Sequence, residues 1–228
     1  MQPQTTATDP RAKRRMAVIA GTLRDAGLRV DSVEIDAEIV NLAREYFNYE
    51  GDAVVDDGRR YLQRTDRNWD MIVVDAFSGG SPPWQLYTRE AFALYAEHLN
   101  AGGIVVLNFI GSHLDPDQRG ALEAVAGTAR EVFPTVDVYP DPWEPDDYPT
   151  RNIFIAAAFA TRQEPRHQGN PMDAGTLSQA IARMEPIGVE KGRILTDDAA
   201  PLEPLVRRTT EYLRSRSREY LPVNVLFQ

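Results

Sequence analysis

Cysteine is absent from all 228 residues. That excludes disulfides, thiolate catalysis and cysteine-ligated zinc, and it agrees with a reducing, cytoplasmic setting. Histidine is scarce: His98, His113 and His167 are the whole complement, none has ligand spacing, and no metal site is expected. A nucleophile-elbow pattern is missing, which argues against a Ser-His-Asp hydrolase. No apolar run approaches the length of a bilayer span and no charged-then-apolar leader opens the chain, so neither a membrane segment nor a secretory signal is expected. Positive charge is in deficit, with 25 Lys and Arg against 34 Asp and Glu and a formal net charge of -9. Phosphate contacts need clustered Lys and Arg, so nucleic acid is a poor partner, whereas an acidic cleft suits a cation. The basic residues gather near the two ends, in Arg11-Ala-Lys13-Arg14-Arg15 and between Arg207 and Arg218, where solvated helix faces account for them.

What the chain does contain is an alternation of short β-branched runs and helical stripes, the pattern of a doubly wound α/β sheet. The most informative run is Asp70-Met-Ile-Val-Val-Asp75, which ends in a carboxylate and passes into the loop Ala76-Phe-Ser78-Gly-Gly-Ser81-Pro-Pro-Trp84. A buried parallel strand delivers a functional side chain at its carboxyl end in this way. Asp75 is therefore the candidate for chemistry, the competing reading being a cap on the next helix.

In chain order, Met1 to Pro10 reads as a disordered polar lead. Arg11 to Ala26 reads as a helix stopped by Gly27, with a short strand at Met16 to Ala20 as the alternative. Leu28 to Asp36 alternates as a strand closing on Glu34 and Asp36, and Ala37 to Phe47 carries a helical stripe of Ile39, Val40, Leu42, Ala43 and Phe47. A carboxylate at that strand end can accept from two vicinal hydroxyls of a ribose; a helix-capping acid is the alternative for Glu34. Ala53-Val-Val55 is a strand closed by Asp56-Asp57-Gly58, where a turn and a ligand contact are both open. A helix across Arg59 to Gln63 follows, then a helix over Glu90 to Leu99, the turn Ala101-Gly-Gly103 and the interior strand Ile104 to Ile110. Asp115 to Phe133 is a helix with Leu122, Val125, Ala129 and Val132 inward. Thr135 to Tyr139 and Asn152 to Ala158 are strands, the latter antiparallel to its neighbour, with the acidic, aromatic loop 140–150 between them as a lid or substrate wall. A helix is expected around Asp173 to Met184. One domain is expected over 11–204, with a C-terminal helix at 205–222. The last residues, 223–228, are set aside because Val225-Leu-Phe-Gln228 has the look of half a viral-protease tag site.

Val33-Glu34-Ile35-Asp36, Asp57-Gly58-Arg59-Arg60-Tyr61-Leu62, Asp70 to Ser78 and Leu195-Thr196-Asp197-Asp198-Ala-Ala-Pro201-Leu-Glu203, in this order, resemble the spermidine synthase (polyamine aminopropyltransferase) family, in its bacterial spermidine-synthase-like branch. The resemblance spans roughly Val30 to Glu203. It implies a class I methyltransferase-like Rossmann fold, decarboxylated S-adenosylmethionine or S-adenosylmethionine as co-substrate, an amine as the second substrate, and a homodimer. It further implies that Glu34 and Asp36 hold the ribose side of the donor, that Asp57, Gly58 and Ala76 line its adenine, and that Asp75 deprotonates the attacking amine. Ser78, Trp84, Tyr148, Asp197 and Asp198 would line the amine site. The chain departs from the family in lacking or shortening the first strand and its Gly-rich loop, and in carrying Ser78 where the family has a second acid. A methyltransferase on the same scaffold, or a non-catalytic relative kept for assembly or sensing, are the alternatives.

Overall fold

Short β-branched runs alternate with amphipathic helices along the chain, but the run expected to form a buried strand before Asp75 is buried only at Val74, with Met71 and Val73 exposed because its strand has a described neighbour on one side alone. The computed structural model describes residues 19–47, 49–77, 82–141, 150–160, 179 and 184–220. Residues 19–25 are helical. They end in a left-handed Gly27 at φ 82, whose amide bonds to the Arg24 carbonyl while the Leu28 amide bonds to that of Leu23, a paired closure that favours glycine. The short-strand alternative for Met16 to Ala20 is thereby set aside at Ile19 and Ala20, and residues before 19 lie outside the described ones.

Strand β1 (Ser32–Glu34) is followed by α1 (Ala37–Phe47), strand β2 (Ala53–Val55) and α2 (Gly58–Arg64). The expected strand over Leu28 to Asp36 is therefore shorter. Leu28 is spent on closing the helix before it and is half exposed, and Val30 packs on the small cluster of Ala20, Ala43 and Tyr49. Helix α1 buries Ile39, Val40 and Ala43, as its stripe predicts, but Phe47, at its last position, is exposed. Strand β3 (Trp69–Val74), a 3-10 turn (Trp84–Leu86), α3 (Arg89–Glu97) and the 13-residue β4 (Leu99–Gly111) come next. Then follow α4 (Pro116–Arg130), β5 (Thr135–Pro140), β6 (Arg151–Ala158) and α5 (Leu202–Tyr220). The helix expected around Asp173 to Met184 and the loop at 142–149 fall largely outside the described residues.

Two sheets result. β1 and β2 pair in parallel, with Glu34 opposite Val55. The other sheet has the order β3-β4-β6-β5, with β3 and β4 parallel and β6 antiparallel to both its neighbours. Ala101-Gly-Gly103 is not a turn ahead of β4 but a bulge inside it. Between the pairs Trp69–Leu99 and Met71–Ile104, β3 advances two residues while β4 advances five. Gly102 sits at φ 80, and a Cβ on Gly103 would meet the Asn100 carbonyl at 2.9 Å and that of Asp70 at 3.1 Å. The helix expected to reach Leu99 accordingly ends at Glu97, with His98 as its cap and Leu99 already in the strand.

The core lies on the four-stranded sheet. Leu107 and Phe109 of β4, Ile153 and Ile155 of β6, Phe92 and Tyr95 of α3 and Leu122 of α4 are all at 2% exposure or less, and Leu202 and Val206 bring α5 into the same core. The predicted inward face of α4 is confirmed at Leu122, Val125 and Ala129, with Val132 packed at its margin. Trp69 Nε1 donates to Asp31 Oδ2 at 2.8 Å, tying the start of β3 to the residue before β1. The two strands are not paired with each other. Among the described residues no helix is long and apolar enough to cross a membrane.

Candidate active site

Three parallel strands each end in an acid, and each acid is followed by a helix or a loop. At the end of β1, Glu34 is half-buried and its Oε1 accepts the Asp36 amide at 3.1 Å. Burial pushes the Glu34 pKa above its ordinary value, and that amide bond only partly offsets the effect. Asp36 caps α1, its Oδ1 accepting the Glu38 amide at 2.8 Å. At the end of β2, Asp57 does the same for α2, accepting the Arg60 amide at 2.9 Å. Asp56 pairs with Arg60 and accepts the Asp57 amide. The Asp56 amide in turn bonds to the Glu34 carbonyl at 3.1 Å, which places the two acidic strand ends side by side. Gly58 opens α2 with nothing within 4 Å of where a Cβ would stand, leaving open space beside Asp57.

At the end of β3, Asp75 Oδ1 accepts from Asn108 Nδ2 at 2.9 Å. Asn108 lies on β4, next to Leu107, the partner of Val74, and its Nδ2 also reaches Asn152 Oδ1 on β6 at 3.3 Å. Ala76 follows Asp75, partly exposed. Trp84 stands in the 3-10 turn, packed against the core. Ser78 and Tyr148 lie outside the described residues.

Asp197 and Asp198, expected at the mouth of the amine site, belong to a tight turn bridged by Thr196 and Ala199. Asp198 is exposed. Asp197 is gripped by Arg59 at both oxygens, at 2.8 and 2.6 Å, and accepts the Thr88 hydroxyl at 2.7 Å, while its amide bonds to Glu90. Arg59 also donates to the Gln85 carbonyl at 3.0 Å. The residue after Asp57-Gly58 is thus fastened both to the 3-10 turn that follows the Asp75 loop and to the Asp197 turn. Sequence reasoning missed Arg59, Thr88, Asn108 and Asn152. Asn108 had a signal, as a lone polar side chain within the apolar run Ile104 to Ile110; Arg59 and Thr88 meet Asp197 across more than 100 residues and had none.

The Arg59 bond holds the Asp197 carboxyl below its ordinary pKa, more than burial raises it. A depressed acid stabilises the fold above its unfolded-state value and loses that contribution as pH falls through its lower, folded value. Thermal melts of the Asp197→Asn variant should therefore lie below those of the parent at neutral pH. The gap should be a few degrees, corresponding to about 1 kcal/mol for a pair this exposed, and should close below about pH 4. A gap that persists at acid pH would overturn the assignment.

The half-buried Glu34 carboxylate at the β1 end is of a kind that can accept from two vicinal hydroxyls, and the open space at Gly58 leaves room for a flat group. Among the described residues no strand–glycine-loop–helix precedes β1, and none holds three or more metal-ligating side chains together. The fold is shared with two kinds of protein. A probable spermidine synthase from Corynebacterium glutamicum superposes with a TM-score of 0.51 at 23% identity, covering 78% of this chain and 60% of that one. Human methyltransferase-like protein 13, solved with SAH, superposes with a TM-score of 0.52 at 18% identity, covering 75% and 79%. The architecture is thus the mixed α/β fold common to spermidine synthases and class I methyltransferases. Residues 26–139 match the spermine/spermidine synthase domain, and the chain belongs to that family. A probable polyamine aminopropyl transferase of Bifidobacterium longum is 37% identical over 109 residues, which are 46% of this chain and 24% of that protein. The chain thus matches about a quarter of that relative's length.

Proposed function

We propose that this chain carries the transfer site of a spermidine-synthase-like enzyme that moves an aminopropyl group from decarboxylated S-adenosylmethionine to an amine. The observation that carries the reading is Asp75, placed at the carboxyl end of a parallel strand, β3, and bonded there to Asn108. An alkylammonium is protonated at neutral pH and has no lone pair to give. The Asp75 carboxylate takes its proton, the nitrogen lone pair then attacks the carbon attached to the sulfonium, the C–N bond forms, and the C–S bond breaks with its electron pair going to sulfur. Methylthioadenosine leaves as a neutral thioether needing no acid, and the new secondary ammonium carries the positive charge. Glu34 holds the ribose, Asp36 and Asp57 set the helix ends beside it, and Gly58 and Ala76 flank the base. Trp84, Ser78, Tyr148 and Asp198 contact the amine, and Asp197, bonded to Arg59 through both oxygens, fixes the turn that carries Asp198. The net charge of -9 favours a cationic acceptor, and the absence of cysteine supports a cytoplasmic setting.

A product screen with both sulfonium donors and a panel of amines tests this. An aminopropylated amine with methylthioadenosine is the expected outcome. Methyl transfer alone would establish the second reading, a methyltransferase, which the likeness to the SAH-bound methyltransferase-like fold favours. Calorimetry showing no binding of any adenosyl compound would leave the non-catalytic relative.

The chain is further proposed to pair as a homodimer. Among the described residues β1 and β3 each bond to a neighbour on one side only, and Met71 and Val73 on one face of β3 are 45% and 38% exposed. Light scattering should give twice the chain mass; a monomer disposes of it.

A further inference from the structure

The interior of β4 holds a polar atom that the proposed reaction has not yet used. Asn108 is 8% exposed, and its side-chain carbonyl is buried and has no hydrogen-bond partner among the described residues, whereas both of its amide contacts are made, to Asp75 and to Asn152. Its orientation is fixed by chemistry. Turning the amide over would set its oxygen against the Asp75 carboxylate and lose a charge-assisted bond. An enclosed, unmet acceptor destabilises the fold, and an apolar β4 could carry leucine, valine or isoleucine here as it does at neighbouring positions.

We propose that Asn108 is a substrate-binding residue of the amine site, its side-chain carbonyl accepting one N–H of the acceptor amine while Asp75 takes another. The inference rests on the amine-transfer reading of Asp75 and adds to it what a single carboxylate does not supply. A neutral primary amine has two N–H bonds and one lone pair. One acceptor leaves it free to swivel, whereas two acceptors on adjacent strands fix both N–H bonds and thereby the direction of the lone pair. The pair also discriminates between nucleophiles. An alcohol offers one donor and would leave Asn108 unmet, whereas a primary amine satisfies both acceptors and keeps its lone pair. Asn152, diagonal to Asn108 across the β4–β6 ladder, where Phe154 is the direct partner, acts as the positioning residue that keeps the amide from turning.

Putrescine titrated calorimetrically into the protein saturated with methylthioadenosine is the test, in the parent and in Asn108→Leu. The parent should bind putrescine, and the variant should bind it about tenfold or more weakly, with methylthioadenosine affinity unchanged in both. No putrescine binding by the parent would overturn both this inference and the amine-transfer reading. Binding by the parent and equal binding by the variant would overturn this inference alone. Because Asn108→Leu also removes the Asn108–Asp75 bond, and because the variant could fold poorly, a second measurement is made on the parent. Its Asn108 side-chain carbonyl carbon, labelled with carbon-13, should shift on saturation with putrescine as the oxygen gains a donor. An unmoved signal at saturation would show that Asn108 only orients Asp75 and would overturn the proposal.

Discussion

Asp75→Asn should lower the transfer rate by about 10²–10⁴, the usual contribution of a positioned general base, while leaving the fold and the adenosyl affinity as they are. The substitution is close to isosteric, and the new amide's oxygen can still accept from Asn108 Nδ2, the bond of 2.9 Å that Asp75 makes in the parent, so melts should coincide within about 1 kcal/mol. What is lost is the site for the proton. The residual rate in the variant should then depend on amine that arrives already neutral, and should climb about tenfold for each pH unit up to the amine's own pKa near 10. The parent, which removes the proton on the protein, should be flatter over that range. Steady-state rates from pH 7 to 10 with a fixed donor concentration read both slopes. An unchanged rate at neutral pH, or parallel profiles, would remove Asp75 as the base.

Much of this site was legible because it depends on position along the chain. A β-branched run ending in an acid, as at Val73-Val74-Asp75 and Val33-Glu34, predicts where the carboxylate stands relative to the sheet, and both acids are at strand ends in the structure. The stripes of α1 and α4 were equally readable, since a buried face at a period of 3.6 is a local property. What was not legible is what depends on partners. Alternation from Leu28 to Asp36 suggests a long strand, but only Ser32–Glu34 has a neighbour to pair with, and Leu28 is taken by the helix end before it. Glycines at 102 and 103 read as a turn because glycine marks backbone of unusual shape, and the sequence does not say whether a strand resumes the same ladder on the far side. Asp197 has the composition of a substrate ligand. Only the fold shows that Arg59, 138 residues away, occupies both of its oxygens.

Glu34→Gln should move binding and stability in opposite directions. Burial raises the Glu34 pKa above 4.5, so the folded state holds this carboxyl's proton more tightly than the unfolded chain does. For an acid raised in this way, stability falls as pH rises from the unfolded value through the folded one, and at neutral pH the buried charge is a net cost. The neutral amide removes that cost, and its oxygen can still accept the Asp36 amide, a bond of 3.1 Å in the parent. The variant should therefore be more stable at pH 7, and the advantage should vanish in acid, where the parent's carboxyl is protonated. Binding should do the reverse. Two ribose hydroxyls need two acceptor positions with full negative charge, and the amide offers one oxygen and a competing donor. Methylthioadenosine should bind about 10–150-fold more weakly, the equivalent of about 1.5–3 kcal/mol for hydrogen bonds to a charged group. In the parent, affinity should weaken as pH falls through the raised Glu34 value, at a higher pH than an ordinary glutamate would show, and the variant should lack that limb. Calorimetry and melts from pH 4 to 8 on the two proteins measure all of it. A variant that binds as tightly as the parent would take the ribose away from Glu34, and one that is less stable at neutral pH would show that the carboxylate is held for the fold and not for the ligand.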